Sequence, residues 1–223
     1  MRAHDVDARG GDGGDAARGH GDTQALVARL ARRLAAHESV VADAAPAVRR
    51  AAVLAMFRIA ADGDLELLFI KRAEWEGDPW SGHVAFPGGR QEPDDATLED
   101  TAVRETREEL GVDVRLHGRI LGTLDELHPR NPVLPPIVVR PYVAVLDTDV
   151  VLAPSEEVAL AFWVPLGALL HPATSTDATV VVHGVERTVS SYRFGDHTIW
   201  GLTERVLRQL LGLLHARPAG GEP

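Results

Sequence analysis

Apolar residues near the start of the chain recur with the period of a helix. Leu26, Leu30 and Leu34 follow one another at intervals of four residues, and this spacing predicts a helix over about 23–37. Residues 1–22 are rich in Gly, Asp and Ala, so burial there cannot offset the entropy that is lost on ordering. We therefore predict a disordered tail over 1–22 and the start of the folded domain at residue 23.

Short apolar runs separated by turn residues dominate the rest of the chain. The predicted strands lie at about 51–59, 65–71, 112–125, 137–146, 161–164, 179–182, 187–194 and 198–200. Two further helices are predicted at about 97–110 and 203–214, and a loop rich in Gly and Pro at 73–89. Many strands with few helices predict one α/β domain with a mixed sheet over 23–215, followed by a flexible tail at 216–223.

The charge and composition of the chain restrict what it can bind. The formal net charge is −10 and no dense run of Lys or Arg is present, which argues against a nucleic-acid polymer as partner. No apolar run reaches the roughly 18–20 residues that cross a membrane, and the absence of cysteine excludes disulfides, thiolate metal sites and cysteine nucleophiles. We expect a soluble cytoplasmic protein, and a small anionic ligand is compatible with its charge if a divalent cation assists.

Three glutamates on the second predicted helix are the clearest chemical feature. Glu105, Glu108 and Glu109 are spaced at i, i+3 and i+4, so their carboxylates project from one side of the helix. An acidic surface that faces solvent, balanced by Arg104 and Arg107, is the simplest interpretation of such a helix. The alternative is a site for hard cations such as Mg²⁺, which take oxygen ligands and bridge to substrate phosphates.

Residues on either side of this helix favour the cation site. Gly88 and Gly89 let the backbone pass close to the helix, where a free carbonyl can add a ligand. Arg104 precedes Glu108 by one turn and can orient its carboxylate. Gly111 supplies the left-handed residue that ends the helix.

The segment 89–112 resembles the signature of the Nudix hydrolase family. That signature is a glycine, five residues, an acid, seven residues, then Arg-Glu, two residues, Glu-Glu, one residue, a glycine and an aliphatic residue. The matching positions are Gly89, Asp95, Arg104, Glu105, Glu108, Glu109, Gly111 and Val112. Asp95 replaces the usual glutamate and is separated from Arg104 by one extra residue, and Thr106 replaces an aliphatic residue. These departures leave the role of Asp95 open.

The resemblance implies a fold, a reaction and a set of site residues. The fold is a mixed β-sheet sandwiched between helices (α/β/α), and the reaction is Mg²⁺- or Mn²⁺-dependent hydrolysis of a pyrophosphate bond in a small nucleotide-type molecule. Glu108 and Glu109, with the carbonyl of Gly88, are the implied metal ligands. Glu105 is either a further ligand or the base that activates water, and Arg104 is the catalytic residue beside it.

Members of the family often recruit one more acid from a later loop. Glu157 is the best match here because it stands shortly before the segment 162–165, which is similar to the strand that follows this acid in relatives; Glu156 is the neighbouring alternative. The cations expected to contact substrate phosphates are Arg72, Arg90 and Arg130.

The resemblance extends over about 51–214 to the coenzyme A pyrophosphatase branch, whose members split coenzyme A. The similar segments are 67–73, 82–89, 101–106 and 199–203. That branch carries an arginine a few residues after the position of Arg72, but the loop 74–80 contains none. Because the similar segments extend well beyond the signature, coenzyme A or a thioester of it is the leading substrate despite this difference. ADP-ribose and oxidised nucleoside triphosphates are the alternatives.

The loop aromatic residues and the class of function each have more than one interpretation. Trp75, Trp80 and His83 either contact the substrate or hold their loop against the core. A non-catalytic Nudix-fold sensor of nucleotides is a second class of function, but such modules typically lose signature glutamates that are all present here. A purely structural interaction protein leaves the clustered acids unexplained. The first helix and the long loop near Arg130 are candidate surfaces for a homodimer.

Overall fold

The computed structural model describes two β-sheets with flanking helices. The described residues are 13–45, 47–76, 80–129, 136–182 and 185–215. The strands are β1 (Arg49–Ile59), β2 (Leu65–Arg72), β3 (Val84–Ala85), β4 (Gly88–Arg90), β5 (Gly118–Thr123), β6 (Ile137–Leu146), β7 (Val158–Pro165), β8 (Ser175–Val182), β9 (Val185–Phe194) and β10 (His197–Trp200). The helices are α1 (Gly13–Ala36), α2 (Leu98–Leu110), α3 (Val114–His117), α4 (Leu166–Leu170) and α5 (Gly201–His215), with a 3₁₀ turn at Pro172–Thr174.

The larger sheet is mixed, as the sequence predicts. Its order is β3-β2-β1-β6-β5, with β4 paired to β1 and β7 paired to β2. β1 and β6 run parallel, from Arg49 opposite Ile137 to Phe57 opposite Val145, and the other pairs are antiparallel. A separate antiparallel sheet is formed by β10, β9 and β8, in that order.

Helices cover both faces of the larger sheet, which confirms the predicted α/β/α arrangement. Successive side chains of β1 point to opposite faces. Ala52, Leu54 and Met56 pack in one apolar cluster with α2, whereas Ala55 and Phe57 pack in another with α1 and α5. Within the described ranges, no helix is both long and apolar enough to cross a membrane.

The first helix begins at Gly13, so the ten residues before Thr23 are helical rather than part of a disordered tail. The helix also makes a contact that the sequence pattern does not reveal. The hydroxyl of Thr23 donates to the carbonyl of Gly63 at 2.6 Å, which ties the helix to the turn between β1 and β2. Residues 1–12 and 216–223, which were expected to be disordered or flexible, lie outside the described residues.

Two further segments differ from the sequence prediction. The strand expected over 112–125 begins only at Gly118, because Asp113 accepts a hydrogen bond from the backbone N–H of Arg115 at 3.0 Å and caps the one-turn helix α3. The loop expected over 73–89 contains β3 and the start of β4. Strands of two and three residues are too short to produce a periodic pattern.

Candidate active site

Local hydrogen bonds fix both ends of α2. Thr97 and Asp100 form a capping box, in which each side chain accepts a hydrogen bond from the backbone N–H of the other, at 3.1 Å and 2.9 Å. Gly111 has φ 72° and donates its N–H to the carbonyl of Arg107 at 2.9 Å. Thr106 is buried, and its hydroxyl donates to the carbonyl one turn earlier at 2.7 Å, so this residue is accommodated in place of an aliphatic one.

The three glutamates of α2 have different environments. Glu109 is only 3 % exposed, and its Oε2 accepts a hydrogen bond from the N–H of Gly88 at 2.9 Å. Burial raises the pKa of Glu109 to about 7, although the bond from Gly88 and the nearby Arg72 lower it. Burial also raises the pKa of Glu105, whereas Glu108 is exposed. The helix therefore carries one buried, one half-buried and one exposed carboxylate.

Two glycines in β4 leave space for these carboxylates. A Cβ atom at Gly89 would lie 2.3 Å from Oε1 of Glu105, so a side chain at that position cannot coexist with the carboxylate as placed. A Cβ at Gly88 would lie 2.2 Å from the carbonyl oxygen of Ala52, and Gly88 has φ 147°. Because these two residues have no side chains, Glu105 and Glu109 of α2 can lie directly against the backbone of β4.

Arg104 connects the acids and fixes their positions. Its Nε and Nη2 atoms donate to the two carboxylate oxygens of Asp95 at 3.0 Å and 2.9 Å, and Nη2 also donates to the carbonyl of Arg90 at 3.0 Å. Its Nη1 lies 3.0 Å from Glu105 and 2.9 Å from Glu108. Asp95 therefore anchors the arginine that contacts the two glutamates. The hydrogen bond from Arg104 lowers the pKa of Asp95 to about 2.

Replacing Asp95 with Asn is expected to lower the free energy of unfolding by about 1.5–3 kcal/mol, because the charge-assisted pair with Arg104 is lost while the shape is kept. The pKa of Asp95 is lowered from 3.8 to about 2 in the folded protein. Its contribution to stability is therefore present above pH 3.8 and is lost as the pH falls through about 2.

Urea unfolding between pH 2 and pH 7 measures both effects of Asp95→Asn. Asp94→Asn is the matched control, because Asp94 is the exposed neighbouring acid. If the two variants were equally stable over the whole range, Asp95 would not be the anchor of Arg104.

A cleft of about 1000 Å³ lies beside these residues. Glu105, Glu108 and Glu109 line it, and apolar side chains of β1 and β6 are also part of its lining. Glu157, on the turn before β7, lines the same cleft, whereas Glu156 does not. A second cleft, of about 530 Å³, lies near α1 and is lined by none of these four glutamates.

The predicted catalytic, metal-binding and phosphate-binding residues that the structure describes all line this one cleft. Arg72 and Arg90 line the cleft, and Nη1 of Arg72 lies 4.0 Å from Oε1 of Glu109. Gly88 lines it as well, next to Glu109. Arg130 falls outside the described residues, so its predicted contact with a phosphate stays a prediction.

Comparison with known proteins places this site in a family. The sequence model of the NUDIX domain matches residues 48–183, which is more than half of the chain. The chain belongs to the Nudix family. The sequence prediction of that family is thereby confirmed, and the protein is a Nudix pyrophosphohydrolase.

Relatives and a solved structure agree with the family assignment. A Photorhabdus laumondii protein is 34% identical over 131 residues, which cover 58% of this chain and 67% of the relative. A Yersinia pestis protein is 32% identical over 163 residues, which cover 73% of this chain and 78% of the relative. Both are named as an uncharacterized Nudix hydrolase, NudL. The crystal structure of a MutT/nudix family protein from Enterococcus faecalis has the same fold, with a TM-score of 0.53 and 19% identity over 88% of this chain and 72% of that one.

Several residues that line the cleft of this Nudix hydrolase were not assigned to the site from the sequence. Trp200 lines it with His83, and their ring centroids are 4.6 Å apart. Trp80 lines it too, whereas Trp75 is 55% exposed and is not part of the lining. The helix α5 contributes Thr203, Glu204, Arg205 and Arg208. The similarity of the segment 199–203 to one branch of the family does not locate α5, which only the tertiary structure brings to the cleft.

The acids of this Nudix hydrolase suit a hard cation. Carboxylate and carbonyl oxygens are the ligands that Mg²⁺ and Mn²⁺ prefer. In the parts of the chain that the structure describes, no three acidic or histidine side chains already surround one point. Two of the glutamates contact Arg104 and the third contacts Gly88. Four carboxylates on one cleft repel one another. Burial makes the charged forms of Glu105 and Glu109 still less favourable. A divalent cation would offset both effects, so this donor set fits one.

Proposed function

We propose that this Nudix hydrolase cleaves the pyrophosphate bond of a nucleoside diphosphate-linked small molecule with the help of Mg²⁺ or Mn²⁺, and that coenzyme A or one of its thioesters is the substrate. The observation that carries the proposal is the group of four glutamates on a cleft that arginines also line. These acids repel a diphosphate, so a divalent cation between the two is the arrangement that permits binding.

The metal ligands in this proposal are Glu108, Glu109 and the carbonyl of Gly88. The exposed Glu108 is oriented by Arg104, and Glu109 is held by its hydrogen bond with the N–H of Gly88. Bound Mg²⁺ or Mn²⁺ supplies positive charge to the diphosphate and lowers the pKa of water. The protein's part is positioning, because Arg104 fixes the directions of its carboxylate partners before substrate binds.

Glu105 is the group that we assign to accept the proton of the attacking water. It is half-buried and held by Arg104 at 3.0 Å, so its position is better defined than that of Glu157, which lies on an exposed turn. Arg72 lies near Glu109, Arg90 lies beside Arg104, and both line the cleft. These two arginines are the proposed partners of the phosphate oxygens.

The size and lining of the cleft support a substrate larger than a mononucleotide. A volume of about 1000 Å³ is at the upper end of the range for small-molecule sites. The rings of His83 and Trp200, which pack against each other at an interplanar angle of 58°, offer an aromatic surface for a base. Coenzyme A combines a base, a pyrophosphate and a long arm, and the sequence resembles the branch that cleaves it.

The test is to incubate the protein with Mg²⁺ and a panel of coenzyme A, ADP-ribose, NADH, diadenosine polyphosphates and 8-oxo-dGTP, and to identify the products by mass. We expect 3′,5′-ADP and 4′-phosphopantetheine from coenzyme A to form fastest. Faster cleavage of another compound would support pyrophosphate hydrolysis but contradict coenzyme A as the substrate. Tight binding of one compound without any cleavage would contradict the proposal and favour a nucleotide sensor.

A further inference from the structure

Arg205 and Arg208 place positive charge in the cleft on a different element from the acids. The two residues are three positions apart on α5, so their side chains project from the same side of that helix. Both line the cleft. Because α5 packs on the sheet face opposite to α2, the cleft has acids from one helix and arginines from the other.

The first turn of α5 has a fixed position in the structure. The hydroxyl of Thr203 donates to the carbonyl of Val84 at 3.0 Å, which joins the helix to β3. Immediately before the helix, the ring of Trp200 packs on that of His83. Arg205 lies only two residues after Thr203, so its backbone is held at a defined place beside the cleft.

The contacts of the two arginines leave their charge accessible to a ligand. Nε of Arg208 lies 3.5 Å from Oε1 of Glu204, one turn earlier, which is 6 % exposed. Arg205 is exposed and makes no ion pair within the described ranges. Neither arginine forms an ion pair with the glutamates of α2 in that part of the chain, whereas Arg104 is already bonded to them.

We propose that Arg205 and Arg208 bind a phosphate group that the substrate carries at a distance from the pyrophosphate bond that is cleaved. The inference rests on the proposed function for the position of that bond, which lies with the acids of α2. Guanidinium groups bind phosphate through paired, charge-assisted hydrogen bonds. The site on α5 thus provides the cations that are missing from the loop 74–80.

The experiment compares two ligands that differ by one phosphate, 3′,5′-ADP and 5′-AMP, by isothermal titration calorimetry with the full chain in Mg²⁺. We expect the wild-type protein to bind 3′,5′-ADP at least about tenfold more tightly, which corresponds to one charge-assisted hydrogen bond. The double variant Arg205→Ala, Arg208→Ala should lose this preference, while its affinity for 5′-AMP changes less than about twofold.

The matched control is Arg29→Ala with Arg32→Ala. These arginines have the same spacing and total charge, are exposed on α1 and do not line the cleft. The control should keep the preference for 3′,5′-ADP. Arg205→Ala alone is the second variant, because loss of Arg208 leaves the buried Glu204 without its ion pair and can affect folding. It should lose part of the preference.

Equal affinities of the wild-type protein for the two ligands, or a preference that persists in the folded double variant, would overturn the inference. Neither ligand contains a pyrophosphate bond, so the result does not depend on hydrolysis. A protein that prefers 3′,5′-ADP but cleaves nothing in the substrate panel would contradict the proposed reaction and leave the phosphate site in place.

Discussion

Replacing both Glu108 and Glu109 with Gln is expected to lower kcat by about 10³-fold or more in Mg²⁺, while the protein stays folded. Each substitution keeps the shape of the side chain and removes one negative ligand charge. A catalytic metal contributes several kcal/mol to the stabilisation of a transition state. The loss of about 4 kcal/mol corresponds to a factor of about 10³. Steady-state kinetics on the fastest substrate of the panel measures the effect, and calorimetric titration with Mg²⁺ measures the loss of metal binding.

The same double variant should not be less stable than the wild-type protein without divalent metal. A Gln at position 109 can still accept the hydrogen bond from Gly88, and it is neutral. In the wild-type protein burial raises the pKa of Glu109 from 4.5 to about 7, so ionising this group costs folding free energy. That cost appears as the pH rises above 4.5 and is complete above about 7, so the relative stability of the variant should increase over this interval.

The control for this prediction is Glu99→Gln with Glu156→Gln. It removes the same total charge from one position on α2 and one on the turn that carries Glu157, and neither residue lines the cleft. The ion pair of Glu99 with Arg115 is exposed, so its loss should cost little. Wild-type turnover in the Glu108, Glu109 variant would show that these two acids do not hold the metal.

The local geometry around α2 is what the sequence predicts correctly. The spacing of Glu105, Glu108 and Glu109 places them on one side of any α-helix, and Gly111 ends that helix as expected. The glycines before the helix predict a close approach of the backbone to α2, and Gly89 is observed there. These conclusions need no knowledge of how distant segments meet.

The role of Asp95 depends on a loop that the signature does not describe. Its distance in sequence from Arg104 is one residue longer than in the family pattern, so alignment alone could not assign it. In the structure the loop lets Asp95 accept two hydrogen bonds from Arg104, one from Thr101 and one from the backbone of Glu92. The conformation of such a loop is decided by several weak contacts together, and a pattern of residue types does not encode it.

The contribution of α5 to the cleft is non-local and could not be read from the chain. Arg205 is more than 90 residues from the acids of α2 in sequence, and only the packing of α5 on the larger sheet brings it to the same cleft. The helix α5 is amphipathic, and the polar residues of such a helix normally face solvent. The sequence therefore gives no sign that Arg205 and Arg208 lie at a binding site. The same applies to Trp200, which meets His83 only because segments distant in sequence pack together.

Replacing Gly89 with Ala is expected to lower kcat by about 10²-fold with little loss of stability. The new Cβ would lie 2.3 Å from the carboxylate of Glu105. The carboxylate must move, because it ends a flexible side chain whereas the backbone of β4 is held by strand pairing. A misplacement of about 1 Å at a catalytic group costs on the order of 10²-fold in rate. Kinetics on the wild-type substrate and thermal unfolding of the same samples measure the two quantities.

Gly88→Ala is the informative counterpart, because the same added methyl group meets backbone rather than a side chain. Its Cβ would lie 2.2 Å from the carbonyl oxygen of Ala52 in β1, and the φ of 147° is unfavourable for alanine. We expect a loss of about 3 kcal/mol or more in the free energy of unfolding, since neither strand can yield without breaking its pairing. If Gly89→Ala kept full activity, the carboxylate of Glu105 would not need its observed position; if it lost as much stability as Gly88→Ala, the glycine would serve the sheet rather than the site.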